Sequence, residues 1–518
     1  MARHGQITFK AYQQDQMMLM PRNLEELVPS NHKVRMVDAV IEEMSLDPLL
    51  SQYKGGGTSS YHPKMMLKVL VYAYTERLYS SRRIAKALRE NVLFMWLSGQ
   101  QRPDFRTLNR FRGEMLREAM EPVFATVLEL LLQRGYIGFK DYFVDGTKVE
   151  ANAGRYTFVW KKSVKRYKAK VRERVRELLR QAEEENAAED AEYGDRDLEE
   201  VEGEPISAEE LEQKAREIEE RLKRQGGSKA AQKAVKALQK DCMPRLRRYE
   251  EQERMLGERN SCSKTDPDST FMRMKETTAA GAPLKAGYNV QIGTENQFVL
   301  GYSIHQRHAD TGCLIPHLEQ SHRITKRRPG NVIADAGYGS EENYAYLAAH
   351  GLGNYVKYNT FYQEQRPRRK PDPLNPENWP HDAEHDAFRC PAGQALVYRG
   401  IKDYVSDNGF RTHRRMYEAE GCEQCAWSAR CTPHRRNRCI MVSPAWRTWK
   451  SEATLNLTSQ TGRELRARRL VEPETVFACL KHNWGFRRFS LRGLEKVRTE
   501  WGLLCVAHNV ARLATLAA

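Results

Sequence analysis

VIADAGYGS, residues 332–340, puts one carboxylate, Asp335, at the end of a short apolar run and follows it at once with small residues and glycines. An acid at the C-terminal end of a buried strand, ahead of glycines that admit close backbone approach, is one way to present a metal ligand. Asp and Gly are also ordinary turn residues, so this stretch alone leaves both readings open.

Its neighbours place it in an α/β pattern. CLIPHLEQSHRI before it reads as a helix, EENYAYLAAH after it as another, and NYVKYN as a short strand. Further upstream, KAGYNVQIGTENQFVLGYSIH gives two alternating apolar runs around residues 293–296, a hairpin. GFKDYFVDGTKVEANA, from Gly138, is a strand-like alternation that carries Asp145.

Two highly biased stretches interrupt this pattern. Residues 161–258 are strongly charged, with apolar positions at Trp160, Val164, Tyr167, Val171, Val175 and Leu178 and again at Leu211, Ala215, Ile218 and Leu222. A third set runs through Val235, Leu238, Cys242, Leu246 and Tyr249. Spacings of three and four predict coiled-coil helices, three of them, with an unstructured acidic linker after the first. Residues 363–461 are rich in Pro, His and Cys and low in periodicity, and helices are expected from Leu465 onward.

The 518 residues exceed what one core supports. Lys plus Arg number 84 against 68 Asp plus Glu, a net +16. Residues 181–212 hold fifteen acids and one base, Arg196, so the remainder carries 16 + 14 = +30. Such an excess predicts a polyanionic partner, nucleic acid rather than a neutral small molecule. MARHGQITFKAY has no apolar targeting core and no segment reaches 18 consecutive apolar residues, which predicts a soluble cytoplasmic protein with no membrane partner.

Residues 23–135 read as helical. YSSRRIAKALREN offers Ser81 as an N-cap ahead of Arg82 and Arg83, and RPDFRTLNRFR offers Asp104 ahead of Arg106, Asn109, Arg110 and Arg112. The region resembles a helix-turn-helix reader of the DNA major groove; a solvated basic face on a helical bundle is the alternative.

With the two biased stretches set aside, the order is strand, hairpin, helix, strand, helix, strand, helix. This resembles the RNase H-like fold, in which acids on the first and fourth strands lie side by side; here they are Asp145 and Asp335. In VEPETVFACLKHNWGFRRFSLRGLEKVRTEW, Glu474 and Lys481 are seven apart, about two α-helical turns, and would share a face above Phe477.

VDGTKVEANA, TDPDSTFMRMK, KAGYNVQI, VIADAGYGS and EPETVFACLKHNWGFRRFSLRGLEKV, with HPKMMLKVLVYAYTERLYSSRRIAKAL upstream, together resemble the D-D-E transposases of bacterial insertion sequences. The resemblance implies that Asp145, Asp335 and Glu474 are the catalytic acids and that Lys481 contacts the DNA end. Ala478 stands where the family usually has Gly, Glu472 lies close to Glu474, and Arg468 and Arg469 both lie near the position of the arginine often found before the Glu.

Three carboxylates suit two Mg²⁺ or Mn²⁺ ions about 3.5 to 4 Å apart, which stabilise the attacking and leaving oxygens of a phosphodiester. The same site would hydrolyse at the element's end and then direct the freed 3′-hydroxyl at target DNA. Phosphate contacts are expected from Arg487, Arg488 and Arg492 and sequence readout from the N-terminal helices, on a homodimer or larger assembly at paired ends in the nucleoid. Two rivals stand beside this reading: an RNase H-like nuclease that never joins DNA, and a catalytically silent DNA-binding derivative.

Cys390, Cys422, Cys425 and Cys431 form C-x31-C-x2-C-x5-C, which fits a closed structural Zn²⁺ site, with His434 or Cys439 as substitute ligands and reduced surface thiols as the alternative. Asp310 is read as a helix cap between His305, His308 and the next helix, and Asp266 and Asp268 as turn residues. The expected division is a helical DNA-binding domain (1–135), an RNase H-like mixed-sheet catalytic core (136–160, 260–362 and 462–518), a coiled-coil insertion (161–259) and a Cys-rich insertion (363–461).

Overall fold

The computed structural model describes the chain except residues 1–22, 46, 54–59, 155, 191–206, 226–228, 275–283, 367–371, 407, 434–436 and 518. Part of the acidic linker and His434 therefore lie outside the described residues. The chain divides into two units, residues 1–119 with 506–518, and residues 120–505.

The first unit is built on helix Pro63–Thr75, whose apolar residues run around its whole circumference and are nearly all buried. Pro63 starts it where a missing N–H costs nothing, and His62 Nδ1 accepts from the Lys64 N–H at 3.2 Å. Lys68 is buried on this helix and pairs with Asp38 at 2.6 Å and with Glu42. Asp104 caps helix Phe105–Arg110, accepting from Thr107 N–H at 2.7 Å, and that bond holds its carboxyl below the usual range.

Ser81 does not cap. It is the first residue of helix Ser81–Glu90, and its buried hydroxyl accepts from Arg112 at 3.4 Å. Arg112 is not presented to solvent either. A π turn, Phe111–Met115, shifts the helix face inward there, and the guanidinium donates to Tyr79 O at 2.7 Å, Tyr74 Oη at 3.0 Å and Asn109 Oδ1 at 3.2 Å. Arg82, Arg83, Arg106, Asn109 and Arg110 are exposed.

The second unit contains the mixed sheet: β1 (Asp141–Glu150), β2 (Lys285–Glu295), β3 (Phe298–His305), β4 (Asn331–Ala334) and β5 (Gly353–Val356). Its order is β3-β2-β1-β4-β5, with β2 antiparallel to β1 and β3 and the β1, β4 and β5 run parallel. This is the RNase H-like arrangement. β1 is buried along most of its length, as a strand covered on both faces must be. A short strand, Thr270–Met272, extends the β2 edge.

The β2–β3 turn is Asn296–Gln297, both with positive φ, rather than the expected Gly293–Asn296. Gly293 instead lies within the strand because the Tyr142 ring crosses it: a Cβ there would fall 1.8 Å from Tyr142 Cζ.

The charged insertion leaves and rejoins the core through a two-stranded pairing of Phe158–Trp160 with Ser261–Ser263. Helix Lys161–Asp190 continues to Asp190, further into the acidic stretch than expected. Its seam is Val164, Lys168, Val171, Val175 and Leu178, so Lys168 replaces the expected Tyr167, which is exposed. The four-three alternation puts a cation in the seam, and Glu253 neutralises it at 2.6 Å.

The Cys-rich stretch holds an antiparallel sheet of five strands, from His381–Asp382 to Cys439–Val442, around Phe388, Leu396, Tyr417 and Ile440. It is followed by helices Pro444–Thr458, Gln460–Arg469 and Glu472–Ala478. The first of these packs Leu457 against Tyr358 and Phe361 beyond β5, and the second places Leu465 on Phe143 and Ile333 of β1 and β4. Among the described residues no helix is long and apolar enough to cross a membrane.

Candidate active site

Asp145 lies in the middle of β1, opposite Ile292 of β2. On its other side, β1 pairs in parallel with β4, with Phe143 opposite Ile333, so continuing the register by two residues sets Asp145 beside Asp335. Period two in a strand puts both side chains on one face of the sheet. Asp335 follows β4 directly and starts a 3₁₀ turn, Ala336–Tyr338, whose Gly337 N–H donates to its Oδ1 at 2.9 Å. The turn and the carboxylate at a strand end, alternatives in the sequence, are one structure.

Glu474 comes from helix Glu472–Ala478. The three acids converge on Arg469: its Nη2 is 3.5 Å from Asp145 Oδ1 and 3.4 Å from Asp335 Oδ2, and its Nη1 is 3.7 Å from Glu474 Oε1. The Arg469 side chain is 7% exposed and that of Asp145 11%, whereas Asp335 and Glu474 are 40% and 51% exposed. The group is closed toward the protein and open toward solvent.

Arg468 and Glu472, the near neighbours in sequence, point elsewhere. Arg468 pairs with Asp141 at 2.9 Å and Glu472 at 3.4 Å, and Glu472 accepts from Gln297 N–H at 2.7 Å. They fasten the end of helix Gln460–Arg469 to the start of β1 and to the β2–β3 turn. Glu295 anchors the same strand start, accepting from the backbone N–H groups of residues 138–141 at 2.7–3.2 Å.

Lys481 does not face solvent beside Glu474. A π turn, Cys479–Asn483, changes the rotation that two α turns would give, and the buried Nζ donates to Thr147 Oγ1 and the Lys148 carbonyl, each at 3.1 Å. Arg487, Arg488 and Arg492 are exposed, and part of each guanidinium is bound to backbone: Arg487 to the Lys481 carbonyl at 3.3 Å, Arg488 to the Ala151 and Ala153 carbonyls at 3.1 and 2.9 Å, Arg492 to the Asn152 carbonyl at 2.7 Å.

Beneath the acids lies a layer that the sequence did not reveal. Tyr338 donates to Gln291 Oε1, and Gln291 and Asn289 donate to Asp310 Oδ1 at 3.1 and 2.7 Å. Burial, with the carboxylates of Asp310, Asp145 and Asp335 adding to it, pushes the Tyr338 hydroxyl well above its ordinary range and keeps it a donor. Asp310 thus serves this network instead of capping the following turn. His305 joins Ser303 at 2.7 Å. Asp266 and Asp268 do more than turn the chain: Asp266 accepts from Tyr288 at 2.9 Å and Gly493 N–H at 3.1 Å, and Asp268 from Leu494 N–H at 2.8 Å.

Among the described residues, no set of three or more His, Cys, Asp or Glu side chains stands ready to hold a metal ion. At the acid site the Arg469 guanidinium takes the space between the carboxylates. Their oxygens are hard donors and their formal charge of about −3 matches divalent ions, so the donor set fits Mg²⁺ once the arginine moves aside. Cys390, Cys422, Cys425 and Cys431 line one small cavity with Trp427 and Arg438. The Arg438 N–H donates to Cys422 Sγ at 3.3 Å. Burial raises the Cys431 thiol, and Cys422, Cys390 and Cys425 add to it. Cys439 is exposed and does not line this cavity.

A family model described as a transposase DDE domain matches residues 389–514, which include Glu474 and Lys481. A second, described as a transposase domain (DUF772), matches residues 22–114, which include the exposed basic helices. Both matches support an insertion-sequence DDE transposase. Asp145 and Asp335 of this transposase lie outside both matched stretches, so only the fold brings them to Glu474. No curated protein matches the chain.

Proposed function

We propose that this transposase binds the terminal inverted repeats of its element, cuts the DNA there and joins the freed 3′-hydroxyl to target DNA, with Asp145, Asp335 and Glu474 as its catalytic acids. The observation that carries the reading is their convergence on Arg469 from segments nearly two hundred and about 140 residues apart in sequence. A buried strand supplies one acid, the end of its parallel neighbour the second and a late helix the third, so the site is rigid where Asp145 sits and open where Asp335 and Glu474 meet solvent.

The three carboxylates would hold Mg²⁺ or Mn²⁺, which when bound supplies a nucleophile and stabilises the leaving oxygen. The chain itself orients the acids: Gly337 N–H fixes Asp335, Gly146 N–H donates to Asp145 at 2.8 Å, and Lys481 holds β1 just beyond Asp145. The four cysteines would hold a structural Zn²⁺. Double-stranded DNA at element ends and target is the partner, and the protein works as a dimer or larger assembly on paired ends in the bacterial cytoplasm.

Sequence readout falls to Arg82, Arg83, Arg106, Asn109 and Arg110. Arg82 and Arg106 both lie on the Phe105 ring, at 5.1 and 5.8 Å, which draws cations from two helices into one patch. The division into reading domain, catalytic core, coiled insertion and Cys-rich insertion follows these roles.

Strand transfer with pre-cut ends tests the reading. Joined product that requires Mg²⁺ and disappears in Asp335→Ala supports it; nicking without joining supports a nuclease, and unchanged cellular function in Asp335→Ala supports a silent DNA-binding protein.

A further inference from the structure

Arg469 is held in an unusual way for a buried guanidinium. Its contacts to the three acids, at 3.4–3.7 Å, are charge contacts longer than normal hydrogen bonds, and its Nε is buried without a partner among the described residues. Buried polar groups are ordinarily satisfied, and arginine carries five donors in a fixed fork. Adjacent Arg468 makes close contact with Asp141 and lies 5.0 Å from the Phe143 ring centroid. One arginine of the pair is a fastening. The other is kept in place by the field of the carboxylates.

The direction of approach also differs. Arg469 ends helix Gln460–Arg469 and reaches the acids from the protein side, while Asp335 and Glu474 remain open to solvent. A hydrated divalent ion therefore enters from the face opposite the arginine and meets the same oxygens.

We propose that Arg469 is a built-in counter-cation: it neutralises the acid cluster in the metal-free protein, competes with the divalent ion for Asp145 and Asp335, and turns its unsatisfied donors to phosphate when the ion takes the carboxylates. The inference rests on the carboxylate site described above. It makes Arg469 a positioning residue that tunes metal affinity and delays loading until DNA offers an alternative acceptor.

The test is Mn²⁺ binding to the full chain without DNA, followed by calorimetry and by the paramagnetic signal of free Mn²⁺, in wild type, Arg469→Gln, Arg469→Lys, Asp335→Asn and Glu474→Gln. Removing a unit charge a few ångströms from a divalent ion is expected to tighten binding in Arg469→Gln at least about tenfold. Arg469→Lys keeps the charge and is expected within about threefold of wild type. Unchanged or weaker Mn²⁺ binding in folded Arg469→Gln overturns the proposal. If that variant does not fold, a tenfold gain in Arg469→Lys overturns it, and wild-type-like binding supports it. Mn²⁺ binding that Asp335→Asn and Glu474→Gln leave undiminished is a separate failure, that of the carboxylate site itself.

Discussion

The Lys481 ammonium is bonded to Thr147 Oγ1 at 3.1 Å, two residues beyond Asp145 on the same strand. A residue that the family resemblance assigns to DNA is therefore part of what fixes Asp145, the first of the proposed catalytic acids. A buried charge-assisted hydrogen bond contributes about 1.5–3 kcal/mol. Lys481→Met is expected to lower unfolding stability in urea by that amount, and Thr147→Val by about 1 kcal/mol. Full stability in Lys481→Met would return the lysine to a purely DNA-facing role.

Asp335 is only partly buried and bonds locally, so replacing it leaves the scaffold intact. Asp335→Ala should retain binding to end DNA, measured by mobility shift, and lose cleavage by at least about a thousandfold, the equivalent of several kcal/mol of lost charge stabilisation. Equal loss of binding and cleavage would show that the residue holds the fold instead.

Acid should weaken the core through two histidines. Tyr142, His317, Ser303 and His305 form a buried chain with links of 3.0, 2.8 and 2.7 Å. Burial pushes His317 down to about 3 and His305 to about 4. Both are neutral in the fold and bind protons more readily when unfolded, near 6.5, so stability is level above that pH and falls as pH drops from 6.5 toward 4. At pH 5 the cost is about 2 kcal/mol for each histidine. Urea unfolding at pH 7 and pH 5 should show this drop, and His317→Gln should reduce it by about half.

The four thiols facing one cavity should bind about one zinc per chain. Metal analysis of the purified protein reads this directly, and Cys422→Ser should lose the ion and expose the five-stranded module to protease. A wild-type protein without zinc and with a protease-resistant module would leave the small core around Phe388 and Tyr417 sufficient by itself.

Much of the catalytic fold was legible because its signals are local. Strand alternation, a hairpin and crossover helices can be read from burial periods of two and 3.6, and the resemblance of their order to the RNase H-like fold implied that Asp145 and Asp335 lie on neighbouring strands. The errors have local causes as well. Lys168 entered the coiled seam where Tyr167 was expected because a distant Glu253 neutralises it. Arg112 turned inward and Lys481 left the Glu474 face because each lies in a π turn, which no residue pattern announces. The strands of the Cys-rich sheet were missed because most of their side chains face solvent, leaving little apolar alternation.

The amino-acid order by itself set the strand pattern of the sheet and the two biased stretches, through short-range periodicity and composition, and pointed to the three acids through residue blocks that resemble a known family. Only the tertiary structure decided that Arg469, not Arg468, lies among those acids, and that Asp310 joins Asn289 and Gln291 instead of capping a helix. Those choices depend on which side chains meet across strands far apart in the chain, and the charge and hydrogen-bond energies that select them do not exist until the sheet has formed.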